Sequence, residues 1–318
     1  MDSLPFAFYR DITECSHVND LKTLRNVSVC WKGVVDTQID RQYAVTIYQK
    51  YENGETLFCP VMKKEDSREE LQWHEFQEAD HRFVRFTNIY IKNSSSAQEH
   101  FKYSSFQEFL PKVNFIKAKA AFACSFAFEI YRGTIDKCLM KPLSSVSFTS
   151  IKMANYSEEA YAFFEHQVQH GRLRSVELGH FWPQKTSELI SAVLDQGQLT
   201  DLYIREVQNC MNAHAVQKCA RRWSEDPVNF QAHLEGFQVS FSNSDFQKIF
   251  AGGNWNLEYL EYLEFNKTYT AQLLRRRFAA CAKGFKRDDR SAFIFGTFHP
   301  LYTKFLESKH VHMFVLNE

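Results

Sequence analysis

The chain has no excess of charge of either sign. Its 38 Lys+Arg and 38 Asp+Glu residues balance, so the formal net charge of the 318 residues is zero at pH 7. Proteins that bind nucleic acid draw much of their affinity from a basic surface that neutralises phosphates. The best basic run, Arg275-Arg276-Arg277, borders an apolar helical face and is explained by a solvated outer face. We therefore expect no nucleic-acid partner.

Long apolar runs are also missing. The longest strongly apolar stretch, KAAFACSFAFEI at 119–130, has 12 residues, whereas a membrane-spanning helix needs about 20. The first residues carry no charged segment ahead of an apolar core, so they do not resemble a secretory signal. The eight cysteines include no C-x-x-C pair and are expected to be reduced, buried thiols. These absences predict a cytoplasmic or nuclear protein without a membrane partner.

Motifs of common enzymes are absent as well. The sequence contains no phosphate-binding P-loop, no G-x-G-x-x-G and no G-x-S-x-G. His166 and His170 are four residues apart, as two metal ligands on one helix would be, but no third ligand can be assigned. We expect a non-catalytic protein with no metal and no cofactor. A metal-dependent enzyme that uses the histidines is the less favoured alternative.

Aromatic residues, by contrast, are abundant. Thirty Phe and 14 Tyr contribute to an aromatic fraction of 15%, within a hydrophobic fraction of 44%. Such a composition excludes a disordered chain, and 318 residues can bury a sizeable core in one or two domains. Aromatic side chains favour strands and flat helix–sheet contacts.

Apolar segments typical of strands recur along most of the chain. Their starts are 26 to 30 residues apart: VRFTNIYI (84), VNFIKAKA (113), LSSVSFTSI (143), LRSVELG (173), LTDLYI (199), VNFQAHL (228) and LEYLEYLEF (257). Amphipathic segments of helical period lie between several of them, at 157–169, 186–197, 212–223, 244–253 and 270–284. The predicted helix N-caps are Ser157, Thr186, Asn212 and Ser244.

One strand and one helix repeated about every 29 residues resembles the plan of a leucine-rich-repeat solenoid. We predict an α/β fold in which residues 83–318 form a degenerate leucine-rich-repeat-like array of alternating strands and helices. The family's L-x-x-L-x-L-x-x-N core is only partial, so an ordinary mixed α/β domain with accidental spacing is the alternative. Residues 39–82 are predicted to cap the array with a hairpin that turns at ENGE, followed by a short polar helix at 67–81.

The first 38 residues have the pattern of a small helical bundle. Leu4-Pro5 suits a helix start, and Asn19-Asp20 provides a second cap before apolar residues at helical spacing. So small a bundle buries little area and is marginal unless the following domain or a partner covers it.

This segment resembles an F-box, whose pattern here is Leu4-Pro5, Ile12, Asp20-Leu21, Val27 and Trp31. The whole chain is similar to the F-box-like families expanded in nematodes. One departure is Ser16, which stands where the first helix usually carries Leu.

The resemblance implies a substrate-recognition adaptor that docks to a Skp-family protein of a cullin-RING ubiquitin ligase and presents its repeat domain to a target protein. Apolar residues of the F-box would divide between packing the bundle and entering a groove of the partner. They are Leu4, Pro5, Phe8, Ile12, Leu21, Leu24, Val27 and Trp31. Leu4-Pro5 is the expected direct contact, and Trp31 the expected wedge between F-box and repeat domain. The alternatives are a self-contained N-terminal cap and a binding scaffold with a decayed F-box.

A target would bind the strand face of the array. Alternating positions of the predicted strands combine charge with tyrosine, which suits protein recognition. The predicted positions are Arg174, Glu177, Asp201, Tyr203, Arg205, Glu258 and Glu261. A shift of one residue in strand phase would move them to the other face, and an ordinary solvated sheet edge is the alternative.

Overall fold

The computed structural model describes residues 12, 21, 23–39, 41–64, 67, 69–76, 84–129, 137–180, 182–204, 213–226, 229–238, 258–261, 281–286, 292–297 and 310–316. The fold is mixed α/β, as predicted in its coarse form. Backbone contacts divide the chain into two units, Met1–Met153 and Ala154–Glu318. Neither predicted boundary, after residue 38 or after residue 82, separates these units, so the three-part division stays a prediction.

The first unit contains four described helices and six strands. Its helices are α1 Val29–Ile39, α2 Trp73–Phe76, α3 Phe106–Ala118 and α4 Lys137–Leu143. Its strands are β1 Gln42–Glu52, β2 Glu55–Lys64, β3 Glu70–Gln72, β4 Arg85–Asn93 and β5 Ala120–Phe128. The sixth strand, β6 Ser150–Asn155, begins in this unit and continues into the second. The six strands lie in the order β3-β2-β1-β4-β5-β6. Strands β1, β4, β5 and β6 are parallel neighbours, whereas β2 and β3 pair antiparallel at one edge.

The second unit starts with strand–helix alternation and ends with antiparallel strands. Its described helices are α5 Glu158–His170, α6 Thr186–Asp195 and α7 Ala213–Glu225. Its strands are β7 Ser175–His180, β8 Asp201–Ile204, β9 Gln231–Gln238, β10 Glu258–Glu261, β11 Cys281–Lys286, β12 Ala292–Thr297 and β13 His310–Leu316. Parallel strands β7, β8 and β9 are followed in the sheet by β13, β12, β11 and β10 in antiparallel pairing.

The predicted hairpin is confirmed. Strands β1 and β2 pair in register from Tyr43 opposite Lys64 to Glu52 opposite Glu55. The two residues between the strands, Asn53 and Gly54, have φ angles of 52° and 88°. A two-residue turn that matches the twist of the strands needs positive φ at both positions, and Asn-Gly adopts it with little strain.

Residues close in sequence determine where several helices begin and end. Ser157 caps α5 as predicted, because its Oγ accepts a hydrogen bond of 3.0 Å from the backbone N–H of Ala160. The same helix ends at Gly171 in the left-handed conformation. The prediction of Thr186 as an N-cap is wrong, since Lys185 occupies that place and Thr186 is the first residue of α6.

The described core of the second unit is formed by residues of its strands and its helices. On β7 and β8, Val176, Leu178, Leu202 and Ile204 are buried and alternate with more exposed residues. Neighbouring helices α5, α6 and α7 pack on one another in sequence. Apolar residues of α5 and α6 complete the core: Phe163, Phe164, Val168, Ile190, Val193 and Leu194. Each side chain of this size contributes about 1.5–3 kcal/mol when fully buried.

Some predicted strands are wrong. VNFIKAKA at 113 belongs mostly to α3, and strand β5 begins only at Ala120. A capping box between Ser105 and Glu108 starts this helix, and Val113 and Ile116 then lie on its buried face. Within LSSVSFTSI only the end is a strand, since β6 begins at Ser150. Strands β4 to β9 consequently begin 25 to 35 residues apart, which is less regular than predicted.

Two predicted helices are also corrected. Residues 67–81 are not one polar helix: β3 is followed by the four-residue α2, which ends at the buried Phe76. Phe76 packs against the rings of Tyr43, Phe86 and Phe115, so it is drawn into the aromatic core. The helix predicted at 270–284 is contradicted at its end, because β11 begins at Cys281 and pairs with β12. Segment 244–253 lies outside the described residues.

Candidate functional site

Residues 21–39 form an apolar cluster of their own. Its buried members, which we call the N-terminal cluster, are Leu21, Trp31, Val34, Val35 and Ile39. Ile12 and Leu24 pack against it and are partly buried. An ion pair of 2.7 Å between Arg25 Nε and Asp36 Oδ1 joins the segment before α1 to the middle of that helix.

Two valines beside this cluster are exposed. Val27 keeps 51% of its surface exposed and Val29 keeps 87%. They flank Ser28, whose carbonyl oxygen accepts a hydrogen bond of 2.9 Å from the Lys32 N–H at the start of α1. We call Val27 and Val29 the N-terminal patch. Val29 was missed by the sequence reasoning, although its place as the first residue of α1, directly after a serine, was a usable signal.

The residues predicted to bind the adaptor differ in how deeply they are buried. Leu21 and Trp31 are buried in the N-terminal cluster, Ile12 and Leu24 are partly buried, and Val27 faces solvent. The buried residues clustered with Trp31 all come from positions 21–39, so a wedge to the repeat domain stays a prediction. Leu4, Pro5, Phe8 and Ser16 lie outside the described residues.

The predicted target-binding residues of β7 and β8 share one face of the sheet. Glu177 pairs with Tyr203, and Ser175 pairs with Asp201. Glu177, Asp201 and Tyr203 alternate with buried Val176, Leu178, Leu202 and Ile204. Arg174, three residues before Glu177, has instead the phase of the buried positions of β7. Arg174 is exposed just before β7.

Glu258 and Glu261 are not brought to this face. Strand β10 lies five positions from β8 in the sheet, which is about 24 Å at a strand spacing of about 4.8 Å. The two positions are also three residues apart, so one set of alternating positions does not include both. Arg205 lies outside the described residues.

The sequence reasoning missed a similar face on the first unit. Thr46, Tyr90, Ala127 and Lys152 form one row across four parallel strands. In the next row the Lys92 ammonium lies 2.9 Å from Glu129 Oε2, and it also lies 5.2 Å from the centre of the Tyr90 ring. The alternation of Asn88, Tyr90 and Lys92 with buried residues in β4 was the available signal.

Two described histidines lie close together, and three described cysteines are buried. His166 and His170 lie on the last turns of α5 with ring centres 4.7 Å apart. Within the described ranges, no three His, Cys, Asp or Glu side chains are placed to hold a metal ion. Burial raises the pKa of the Cys59 thiol to about 11 and also raises the pKa of the Cys124 and Cys219 thiols. These three thiols stay protonated near neutral pH and are poor nucleophiles.

Comparison with known proteins gives no relative. No protein-family model matches the chain, and no curated protein or solved structure matches it either. Among the described helices, none has both the length and the apolar character needed to cross a bilayer.

Proposed function

We propose that this protein is a non-catalytic F-box-like adaptor. Its N-terminal segment docks to a Skp-family protein of a cullin-RING ubiquitin ligase, and a degenerate leucine-rich-repeat-like array presents its strand face to a target protein. The observation that carries the proposal is the exposure of Val27 and Val29 beside an otherwise packed N-terminal cluster. Val27 is a position of the F-box pattern, and Val29 extends it.

The N-terminal patch has the properties of an anchor for another polypeptide. Single exposed apolar residues are common on protein surfaces, but these two valines flank one helix start. A valine that moves from water into an apolar groove gains about 1.5 kcal/mol or more. Leu21 and Trp31, which are close to the patch in sequence, are buried in the N-terminal cluster. Helix-in-groove recognition uses this combination of a supported helix and projecting apolar side chains.

The parallel strands supply the second half of the proposal. Successive strands β4, β5 and β6 are neighbours in the sheet, and helices α3 and α4 lie between them in sequence and pack together. The second unit repeats this plan with β7, β8 and β9. Repeat proteins bind partners on surfaces of this type. The combination of Glu177, Asp201 and Tyr203 on one face suits a protein ligand.

In this scheme the chain supplies proximity, and other subunits supply the chemistry. Binding the ligase and the target through one chain raises the effective concentration of target lysines near the ligase. Cytoplasmic and nuclear compartments, where such ligases work, fit the proposal.

The test is a calorimetric titration of a purified Skp-family adaptor into the full chain. We expect the double variant Val27→Ser, Val29→Ser to weaken binding by at least about tenfold, because two apolar anchors are lost. Tyr51→Ser is the matched control, since Tyr51 is 73% exposed on β1 and far from the N-terminal residues in sequence. Unchanged affinity of the double variant would remove the patch from the interface.

A second pair of variants separates the adaptor from a scaffold with a decayed F-box. Leu4→Ala with Pro5→Ala should also weaken adaptor binding. Ser16→Leu should change little if the F-box is competent. If the wild-type chain fails to bind and Ser16→Leu restores binding, the F-box has decayed and the protein is a scaffold.

A further inference from the structure

The second unit holds a lysine against two tyrosine rings and a carboxylate. The Lys185 ammonium lies 4.2 Å from the centre of the Tyr161 ring and 5.8 Å from the centre of the Tyr156 ring. The Tyr161 distance is within the range in which a cation is attracted by the face of an aromatic ring. The Tyr156 side chain meets the ammonium mainly through its hydroxyl, which shares a hydrogen bond with Lys185. The same ammonium lies 2.9 Å and 3.2 Å from the two carboxylate oxygens of Glu158.

Neighbouring contacts fix the three groups around this ammonium. The Tyr156 hydroxyl donates a hydrogen bond to Glu158, and the Tyr156 ring packs edge-on against Trp182 at 5.8 Å. Trp182 is buried and packs in turn against Phe164 in the core. Glu158 and Tyr161 both lie on the first turn of α5, which Ser157 caps. The Tyr156 ring is therefore anchored by packing, and Glu158 and Tyr161 are positioned by the backbone of the capped helix.

The site is open to solvent on its outer side. The Lys185 side chain is 45% exposed and the Glu158 side chain is 71% exposed. Lys185 makes no side-chain hydrogen bond that caps α6, so its side chain can leave without breaking that helix end. A ligand from another molecule can thus reach the position that the Lys185 ammonium holds.

We propose that Tyr156, Glu158 and Tyr161 form a binding site for the methylated side chain of a lysine on another polypeptide, and that Lys185 occupies this site in the free protein. Aromatic faces combined with a carboxylate recognise alkylated ammonium groups. Methyl groups add apolar contact with the rings, which the bare ammonium of Lys185 lacks. The Glu158 carboxylate accepts an N–H hydrogen bond, so the site favours mono- and dimethyllysine, which keep an N–H, over trimethyllysine.

Lys185 regulates this site by competition. A side chain tethered next to its own binding site has an effective concentration on the order of millimolar. An unmethylated lysine from a partner therefore gains nothing over Lys185, whereas a methylated lysine gains the added ring contacts. The site shares no residue with the N-terminal patch, so this inference and the adaptor proposal can fail separately.

The test uses the full chain and Nα-acetyl-Nε,Nε-dimethyllysine amide as the probe, followed by saturation-transfer NMR on the probe's methyl signal. We expect Lys185→Ala to bind the probe about tenfold more tightly than the wild-type chain. Adding Tyr161→Leu to Lys185→Ala should abolish that gain, and adding Glu158→Gln should reduce it. The circular dichroism spectrum and the melting temperature of each variant show whether it is folded.

A matched control exists in the first unit. Lys92 also lies over a tyrosine and pairs with a carboxylate, but with the single ring of Tyr90. Lys92→Ala should therefore produce no gain in probe binding. An equal gain in Lys92→Ala, or no gain in Lys185→Ala, would overturn the proposal. Binding of choline to Lys185→Ala as tight as that of the dimethyllysine probe would overturn the assignment to a lysine that keeps an N–H.

Discussion

The described side chains of the two units differ in how many large apolar residues they leave exposed. In the first unit Val27, Val29, Tyr51, Leu110 and Phe122 are exposed. Among the described side chains of the second unit, no large apolar residue is exposed. On β7 and β8 of the second unit the apolar strand positions are buried, whereas the cluster at residues 21–39 is too small to enclose all its apolar side chains. Val27 and Val29, two of the five exposed residues, belong to the segment that resembles an interaction motif.

The largest effect is expected in the core of the second unit. Phe164 is fully buried and contacts Trp182, so Phe164→Ala should lower the free energy of unfolding by about 3–5 kcal/mol. The matched control is Phe122→Ala, since Phe122 is 55% exposed on β5 and should cost less than about 1.5 kcal/mol. Urea unfolding followed by tryptophan fluorescence measures both values. Equal losses would show that the two units do not differ as described.

Two glycine-to-alanine substitutions, one in each unit, are expected to change the stability of the protein in opposite directions. A Cβ at Gly179 would lie 2.1 Å from the backbone oxygen of Ala154, so Gly179→Ala should destabilise the protein by about 1–3 kcal/mol. A Cβ at Gly33, inside α1, meets no atom within 4 Å. Gly33→Ala should stabilise the protein by about 0.5–1 kcal/mol, because alanine costs less entropy in a helix. Thermal melts of both variants show whether the melting temperature rises or falls. A higher melting temperature for Gly179→Ala would contradict the close approach of Gly179 to the Ala154 backbone.

Valine-to-serine substitutions in the first unit are expected to have smaller effects on the free energy of unfolding. Val27→Ser and Val29→Ser should each change the free energy of unfolding by less than about 0.5 kcal/mol, because both side chains are exposed. Val34 is 4% exposed in the N-terminal cluster, so Val34→Ser should cost about 1.5–3 kcal/mol. Chemical denaturation of the three variants gives the ranking. A large loss from Val27→Ser or Val29→Ser would mean that the N-terminal patch is part of the fold and not a docking surface.

The smallest expected effect is the pH dependence of stability that arises from Glu158 and Lys185 in the second unit. Hydrogen bonds from Tyr156 and then from Lys185 lower the pKa of the Glu158 carboxyl below its usual 4.5. The contribution of Glu158 to stability is therefore present above pH 4.5 and is lost as the pH falls through its lowered pKa in the folded protein. The hydrogen bond with Glu158 raises the pKa of Lys185 above 10.5, so the Lys185 contribution is present below pH 10.5 and is lost above it.

An NMR titration of the Glu158 side chain measures this shift directly. In Lys185→Met the pKa of Glu158 should move up toward its usual value but stay below it, because the Tyr156 hydrogen bond remains. Lys92→Met, which removes an ion pair in the other unit, should leave the Glu158 pKa unchanged. A Glu158 pKa that is the same with and without Lys185 would place the ammonium away from the carboxylate in solution.

Sequence reasoning succeeded where a few adjacent residues determine the structure. Asn53-Gly54 between alternating strands predicts the hairpin, and Ser157 ahead of an amphipathic segment predicts the start of α5. It failed where equally apolar segments suit a helix or a strand. VNFIKAKA contains residues that favour either, and the capping box at Ser105 decided for a helix. Cys281 was predicted to lie in a helix, but pairing with β12 places it in a strand.

The candidate site was predictable only in part. The alternation of Val176, Glu177 and Leu178 correctly separated the two faces of β7. Val29 and the ring contacts of Lys185 were not predictable, because exposure and cation–ring distances depend on how distant residues pack. Glu258 could not be placed relative to Glu177 without the strand order, which brings the last strand of the chain beside β9.

The sequence by itself determined the α/β class, the hairpin, most strands and helices of residues 84–238, and the alternating faces of those strands. These features depend on local backbone preferences and on the spacing of apolar side chains, which a linear pattern contains. The tertiary structure decided the strand order, the burial of Trp31 and Phe76, the exposure of Val29 and the meeting of Lys185 with Tyr156 and Tyr161. Each of these depends on which distant segments come into contact, and that is settled only when the whole chain buries its apolar surface.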